Sequence, residues 1–369
     1  QSTTGWSLAT RQLAFVSEQG LVWPGGNLSV QFHQAQAGQA AKGEVQGDQL
    51  DLQALRDVAL RLPLPEPVNT QLSHHAVAGQ VRKLQLSWEG PPEDMHQYQG
   101  QIDVDDLHLQ SSPQAQTPVW GVQAAQLSAQ FNQQGGKLTL GMPEGGSVNW
   151  PGILEEDLLV LQQLQAELRW QLQGHSLSQL QWKAQLANPD LQGQTQGQWQ
   201  AAAKSEWGLL DLQAQLNRVE ANKIHRYLPL ALNADVRHYV RDSVRKGQVH
   251  NLQVRIKGDL DKLPMPQPRD GEFRFAGHLQ DVEMAYVPAS LQPAGSLPWP
   301  PLQGLQGDLV FERQGMRLTN TSARFGEGKQ AIQIGTVRAS IPDLVKNPQL
   351  EVQAELRGPA QQVLRTVQL

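Results

Sequence analysis

The chain of 369 residues has no cysteine. That excludes disulfides, thiolate metal sites and a cysteine nucleophile, and it fits an oxidising compartment where a stray thiol is a hazard. No apolar run approaches the ~20 residues that span a bilayer. There is no signal peptide, and Gln1 stands where a methionine would begin a nascent chain, so the sequence reads as a processed portion of something larger. Charge is scarce: Asp, Glu, Lys and Arg make up 18% of residues, the net charge is −5 and the pI is near 6.1. A nucleic-acid binder would be basic, so that class is set aside. Apolar residues, at 39%, fall below the usual globular share.

Glutamine supplies the missing polarity. It alternates with apolar residues instead of running in tracts, which separates it from prion-like composition. Leu164–Gln173 shows the pattern best. Leu164, Ala166, Leu168, Trp170 and Leu172 fall on one parity, and Gln165, Glu167, Arg169, Gln171 and Gln173 on the other. This is a β-strand with one dry and one wet face. An uncharged glutamine solvates the wet face without like-charge repulsion between neighbouring strands.

The same alternation predicts strands along most of the chain. Trp6–Val16 reads as a strand with a bulge, and Leu21–Trp23 with Leu28–Phe32 as a hairpin turned at Pro24–Gly26. Further ladders follow at Leu84, Leu86 and Trp88; at Ile102 with Val104 and Leu107 with Leu109; at Leu127–Phe131 and Leu138–Met142, joined by a turn at Gly135-Gly136; at Leu180, Trp182, Ala184 and Leu186; and at Leu210, Leu212, Ala214 and Leu216. Leu252, Val254 and Ile256 resume the series, which continues through Phe273 and Phe275, Leu309 and Phe311, Met316 and Leu318, and Ile332 and Ile334, to Leu350–Leu356. The strand spacings vary, unlike a propeller or regular β-helix, and no exact internal repeat is visible.

Two stretches change period. Leu52, Leu55, Val58 and Leu62 predict a helix capped by Asp51 or Asp48 and stopped by Pro63, with a second short helix at Val68–His75. In Ala221–Gly247, Ile224 and Leu228 predict a turn ended by Pro229. Asp235 is the expected cap of a helix carrying Val236, Val240 and Val244, and Gly247 stands where a C′ glycine belongs. Arg237, Arg241 and Arg245 form the neighbouring stripe, read first as an ordinary solvated face and second as a surface for anionic head groups or a partner. Pro359–Leu369 is amphipathic and reads as the start of a helix. Three regions result: 1–66, a groove segment ending in a helix; 67–220, a central β-meander; and 221–369, a helical insertion followed by further strands.

No catalytic arrangement emerges. The ten histidines show no metal-binding spacing, and adjacent His74 and His75 would point apart on a strand. Asp103, Asp105 and Asp106 lack the glycine and distant glutamate of a calcium loop. There is no nucleophile elbow and no phosphate-binding glycine loop. Glu155-Glu156 is a carboxylate pair in a loop with nothing to converge on. The sequence therefore predicts no enzyme, no cofactor and no metal.

Several stretches resemble the YhdP branch of the AsmA-like proteins of Gram-negative bacteria. They are HRYLPLALNADVRHYVRDSVRKGQV, GDLDKLPMP, GEFRFAGHLQDVEMAYVP and WPPLQGLQGDLVFERQGMRL, with Tyr227-Leu228-Pro229, Gly247, Gly258, Pro264, Gly271-Glu272-Phe273, Tyr286, Trp299-Pro300 and Gly307 as matching points. LRLPLP at Leu60–Pro65, VAGQVRKLQLSW at Val77–Trp88 and GGSVNWPGIL at Gly145–Leu154 extend the likeness over nearly the whole chain. Tyr239 departs from a tryptophan-like position. The resemblance implies a large periplasmic protein, held to the inner membrane by an N-terminal helix this chain lacks. It also implies a long β-groove that carries phospholipids between inner and outer membranes, with no catalytic residues to transfer.

On that reading the fold is mainly β, a long, twisted, curved antiparallel sheet forming an open hydrophobic groove, with a few short helices inserted to plug or flank it. The expected lining is Leu84, Leu86, Trp88, Leu164, Leu168, Trp170, Leu172, Leu180, Trp182, Leu186, Leu210, Leu212, Leu216, Leu252, Val254 and Ile256. The expected partners are phospholipid acyl chains, the inner membrane and other envelope proteins. The alternative is a closed β-sandwich scaffold that binds envelope proteins, because a sandwich needs the same apolar face.

Overall fold

A computed structural model describes residues 5–361, apart from residues 19, 21, 36–39, 63, 65, 92–94, 96, 113–118, 293, 294, 296–298, 327, 329, 330, 347 and 360. About 63% of the described residues are strand. The strand pairings are antiparallel. Twenty strands make up an open sheet, and two short ones form a separate ribbon. The mainly β class read from the alternation and the open sheet implied by the resemblance are what fold, and the closed sandwich is not. The chain divides into two compact units, Gln1–Pro151 with Asp157–Leu186, and Gly152–Glu156 with Ala187–Leu369.

The first unit contains β1 (Gly5–Thr10), β2 (Phe15–Val16), β3 (Val22–Trp23), β4 (Asn27–His33), β5 (Lys42–Asp48), β6 (Leu50–Asp51), α1 (Leu52–Ala59), α2 (Glu66–His74), β7 (His75–Glu89), β8 (Gln97–Ser111), β9 (Gly121–Asn132), β10 (Gly135–Met142), β11 (Gly146–Asn149), β12 (Leu158–Leu161), β13 (Gln163–Gln173) and β14 (Ser176–Ala187). Pairing runs β1–β4–β5–β7–β8–β9–β10–β13. Both β5 and β6 lie along β7, and both β10 and β11 along β9, so each pair is one long strand with an interruption. The hairpin expected at Pro24–Gly26 does not form: β3 pairs with β2, and β4 pairs instead with β1, Trp6 opposite Phe32. The turn predicted at Gly135-Gly136 sits just before it, because both glycines already pair with β9.

The second unit is an up-and-down meander of β15 (Leu191–Ala202), β16 (Ser205–Glu220), β17 (Val244–Asp259), β18 (Gly271–Met284), β19 (Leu302–Glu312), β20 (Gly315–Phe325), β21 (Ile332–Ile341) and β22 (Glu351–Arg357). A 3-10 helix, Ala221–Tyr227, and α3 (Ala234–Ser243) separate β16 from β17. β15, LQGQTQGQWQAA, was not foreseen. Its dry positions include Gly193, Thr195 and Gly197, so no apolar ladder announces it, and only the glutamines alternate.

The helices show where local signals suffice. Asp51 caps α1, its carboxylate accepting from the Ala54 N–H at 2.8 Å. The α3 cap is Asn233, which accepts from the Asp235 N–H at 2.8 Å, so Asp235 belongs to the first turn instead. Gly247 is not a C′ residue. α3 runs directly into β17 at Val244, and Gly247 lies inside that strand at φ 108°. The arginine stripe also dissolves. Arg237 is buried and donates to the carbonyls of Leu230 and Leu232, Arg241 bonds Asp242, and Arg245 lies on β17 near Glu283. Pro359–Leu369 falls almost wholly outside the described residues.

Alignment by structure reveals a duplication that strand spacing had hidden. The insertions Leu52–His74 and Ala221–Ser243 are of equal length, and each hands over directly to a long strand. Gly79-Gln80-Val81 with Leu84-Gln85 on β7 matches Gly247-Gln248-Val249 with Leu252-Gln253 on β17. Phe131, Gln134-Gly135 and Leu138-Thr139 match Phe311, Gln314-Gly315 and Leu318-Thr319. Bulges recur at the same level: Asp106 in β8 (φ 50°) and Asp281 in β18 (φ 47°) are the left-handed residues. Each lets the dry face continue on the other parity, so Val104 and Leu107 are both buried, as are Leu279 and Val282.

Candidate functional site

In both units the register lines the dry positions up in rows across the strands. The deepest row of the first unit is Leu50, Val81, Val104, Leu127, Leu140 and Ala166. Leu50 and Val81 have no exposed surface and Val104 has 1%. Helix α1 packs its Leu52, Leu55 and Val58 stripe against this core, with Ala54 buried. One step along the strands comes Leu84, Ile102, Ala129, Leu138 and Leu168, mostly half-buried. One step further comes Val45, Leu86, Gly100, Phe131, Gly136 and Trp170. The last row is Trp6, Phe32, Gly43, Trp88 and Tyr98, and there Trp6 is 55% exposed.

The second unit repeats the gradient. Its deep row, Leu191, Val219, Val249 and Leu279, is buried, and the 3-10 helix Ala221–Tyr227 packs on β17 with α3 beside it. Its outer rows are half-buried. Gly193 pairs with Leu216 and Leu216 with Leu252; Gly197 pairs with Leu212, Leu212 with Ile256 and Ile256 with Phe273; Thr195, Ala214, Val254, Phe275, Phe311 and Met316 make the row between.

The sequence-predicted lining residues therefore have two environments. Leu164 lies in the buried core with Ala166. Leu84, Leu86, Trp88, Leu168, Trp170, Leu172, Leu180, Trp182, Leu186, Leu210, Leu212, Leu216, Leu252, Val254 and Ile256 are half-buried on the dry parity. Register sets Leu212 beside Ile256 and Leu216 beside Leu252, as it sets Leu84 beside Ile102. Not in that set are Phe273, Phe275, Leu309, Phe311, Met316 and Leu318, which extend the same surface. Their alternation was legible, and only their pairing places them in these rows.

A family model described as YhdP protein matches residues 1–368. The chain belongs to the YhdP family. No curated protein and no solved structure matches it. Family membership and a large antiparallel sheet with an apolar face are together consistent with a role in lipid transport.

The polar groups of this YhdP-family chain form structural clusters. Asp190, buried, accepts from Arg226 and from the Tyr227 hydroxyl at 3.0 Å, and Asn188 donates to that hydroxyl at 2.8 Å. Burial pushes the Tyr227 phenol up to about 12. Glu156 accepts from Arg226 at 2.8 Å, and Glu155 lies 3.8 Å from both Arg237 and His238, so the loop carboxylates serve ion pairs. Asp103 accepts from Ser128, Asp105 pairs with Arg82 at 2.8 Å, and Asp106 faces His108 at 3.0 Å, so the three acids serve separate partners.

The wet face differs between the units. In the second, Arg255 pairs with Asp211 and Glu272, and hydrogen bonding from Arg255 holds the Asp211 carboxyl below its ordinary range. In the first, Gln46, Gln85, Gln101 and Gln130 lead to Lys137 opposite Arg169. These residues line a concavity of about 920 Å³. Leu86, Phe131 and Trp170 of the outer rows line it as well, so this hollow combines polar side chains with apolar ones. Among the described residues no helix is long and apolar enough to cross a membrane.

Proposed function

We propose that this chain is a periplasmic part of a bridge-like lipid-transport protein, in which the outer half of the dry face carries phospholipid acyl chains between the inner and outer membranes. It acts without catalysis, and the full-length protein is held to the inner membrane by a segment outside this chain. The observation that carries the reading is the set of register-aligned rows of Leu, Val, Ile, Phe and Trp left half-buried beyond the helix-covered core. A diacyl phospholipid buries about 30 methylenes, and at ~0.8 kcal/mol each its passage through water costs on the order of 25 kcal/mol. A conduit has to replace the acyl environment at every step without gripping one lipid. Interchangeable apolar side chains on a long sheet meet that need, and a single polar site would not.

The test is uptake of phospholipid by the purified chain from diacyl phospholipid vesicles, read by mass spectrometry of the re-isolated protein. Bound two-chain phospholipid, displaced when Leu212→Glu or Trp170→Arg is introduced, supports the conduit. A folded chain that takes up none leaves the scaffold that binds envelope proteins. The glutamines, Lys137 and Arg169 in the hollow favour that second reading, since they offer a partner hydrogen bonds beside the apolar Leu86, Phe131 and Trp170 that also line it.

A further inference from the structure

In the first unit, three aromatic side chains of the outer rows each face a glycine on the adjacent strand: Trp88 opposite Gly43, Phe131 opposite Gly100, and Trp170 opposite Gly136. The ring fills the space a Cβ would occupy. A Cβ on Gly100 would stand 2.5 Å from Cζ of Phe131, and its three nearest atoms all belong to that ring. A Cβ on Gly43 would collide with the Trp88 ring, to which its three nearest atoms all belong. A Cβ on Gly136 would stand 2.5 Å from Cζ2 of Trp170, with the Gln130 carbonyl also close. These rings lie down on backbone and do not stand out from the sheet. By contrast, Gly141, on β10 itself, has nothing within 4 Å of its Cβ position.

Covering a strand glycine with an aromatic ring stabilises a sheet at any position. The three instances of the first unit fall in the two outer rows of its dry face and none in the helix-covered row. In the second unit one ring does the same, Trp199 on β15 over Gly208 on β16, where a Cβ would stand 2.7 Å from Nε1 of Trp199, while Phe273 and Phe275 meet edge-on at 5.1 Å and Phe275 pairs with Phe311. Resting on the lipid-carrying reading above, we infer that Gly43, Gly100 and Gly136 are passage-determining residues. They keep three bulky rings flat, making a low apolar floor over which straight acyl chains lie. A methyl group at any of the three would lift its ring by about 1 Å or more to reach normal contact distance, into the path.

The experiment measures diacyl phospholipid taken up from vesicles by the intact chain, with circular dichroism and thermal unfolding on the same samples. Gly100→Ala and Gly43→Ala should retain several-fold less phospholipid than the parent, while Gly141→Ala should match it. Adding Phe131→Ala to Gly100→Ala removes the lifted ring and should restore uptake to that of Phe131→Ala alone. If the parent binds phospholipid and Gly100→Ala binds as much, the floor is overturned and the lipid path survives. If the parent binds none, the lipid path itself fails. If Gly100→Ala does not fold, the double variant decides: uptake below that of Phe131→Ala means glycine matters for the backbone alone, which overturns the inference.

Discussion

The inner and outer rows of the dry face are written in the same residues and behave as different materials. Leu50, Val81 and Val104 lie under α1 and are sealed, whereas Leu86, Trp88 and Trp170, a few residues along the same or neighbouring strands, keep partial exposure. Val81 and Leu84 fall on opposite parities, and the register shift in β7 between Val81 and Lys83 brings both to the dry face. Val81 belongs to the sealed cluster that includes Ala54 of α1, whereas Leu84 is half-buried and packs against that cluster from its margin. The second unit repeats the division with its own insertion, so an insertion of fixed length sets where core ends and candidate path begins. A dry sheet face thus becomes core or groove according to its cover.

Charge insertion separates the two regions most sharply. Leu50→Asp or Val81→Asp buries a carboxylate with no partner and should cost more than about 4 kcal/mol, read as loss of the first unit's unfolding transition. The same charge at Trp170 or Leu212 should cost only about 1 kcal/mol, because a half-buried position can still hydrate it. Equal destabilisation at both levels would mean that the outer rows are core as well. Removing the α1 cap is gentler. Asp51→Ala should cost about 1 kcal/mol and speed amide exchange in α1 before the sheet, since only a helix-end hydrogen bond is lost.

Alkaline titration should distinguish the two insertions. Tyr227 is held protonated to about 12 by burial, so the unfolded chain loses the phenol proton first. The stability it contributes is complete below the ordinary value of 10.0 and declines as pH rises from there toward about 12. Urea midpoints of the second unit should fall over that window, and Tyr227→Phe should flatten the slope. The smallest effect belongs to the wet face: Gln165→Thr should stay within about 0.5 kcal/mol by the same measurement.

Much of this was legible from residues alone. Leu164–Gln173 had to be a half-dry strand, and Asp51 was the right cap. Other features depended on distant partners. β4 pairs with β1 and not with the nearby Val22–Trp23 strand, and a local turn signal carries no information about that choice. Arg237 is buried while Val236 is half exposed, because the carbonyls of Leu230 and Leu232 give the guanidinium a place to donate. β15 was missed because glycine and threonine fill its dry positions. The duplication was missed because its matched residues are interrupted by loops of unequal length.

By itself, the sequence determined the strands and their two faces, since side chains alternate with a period of two whatever surrounds them. It also determined the helical insertions through local capping and proline signals. Tertiary structure decided which part of the apolar face is covered and which glycines lie beneath aromatic rings. Both depend on cross-strand register and on where α1 and the Ala221–Ser243 insertion come to rest, and those are contacts between residues far apart in the chain.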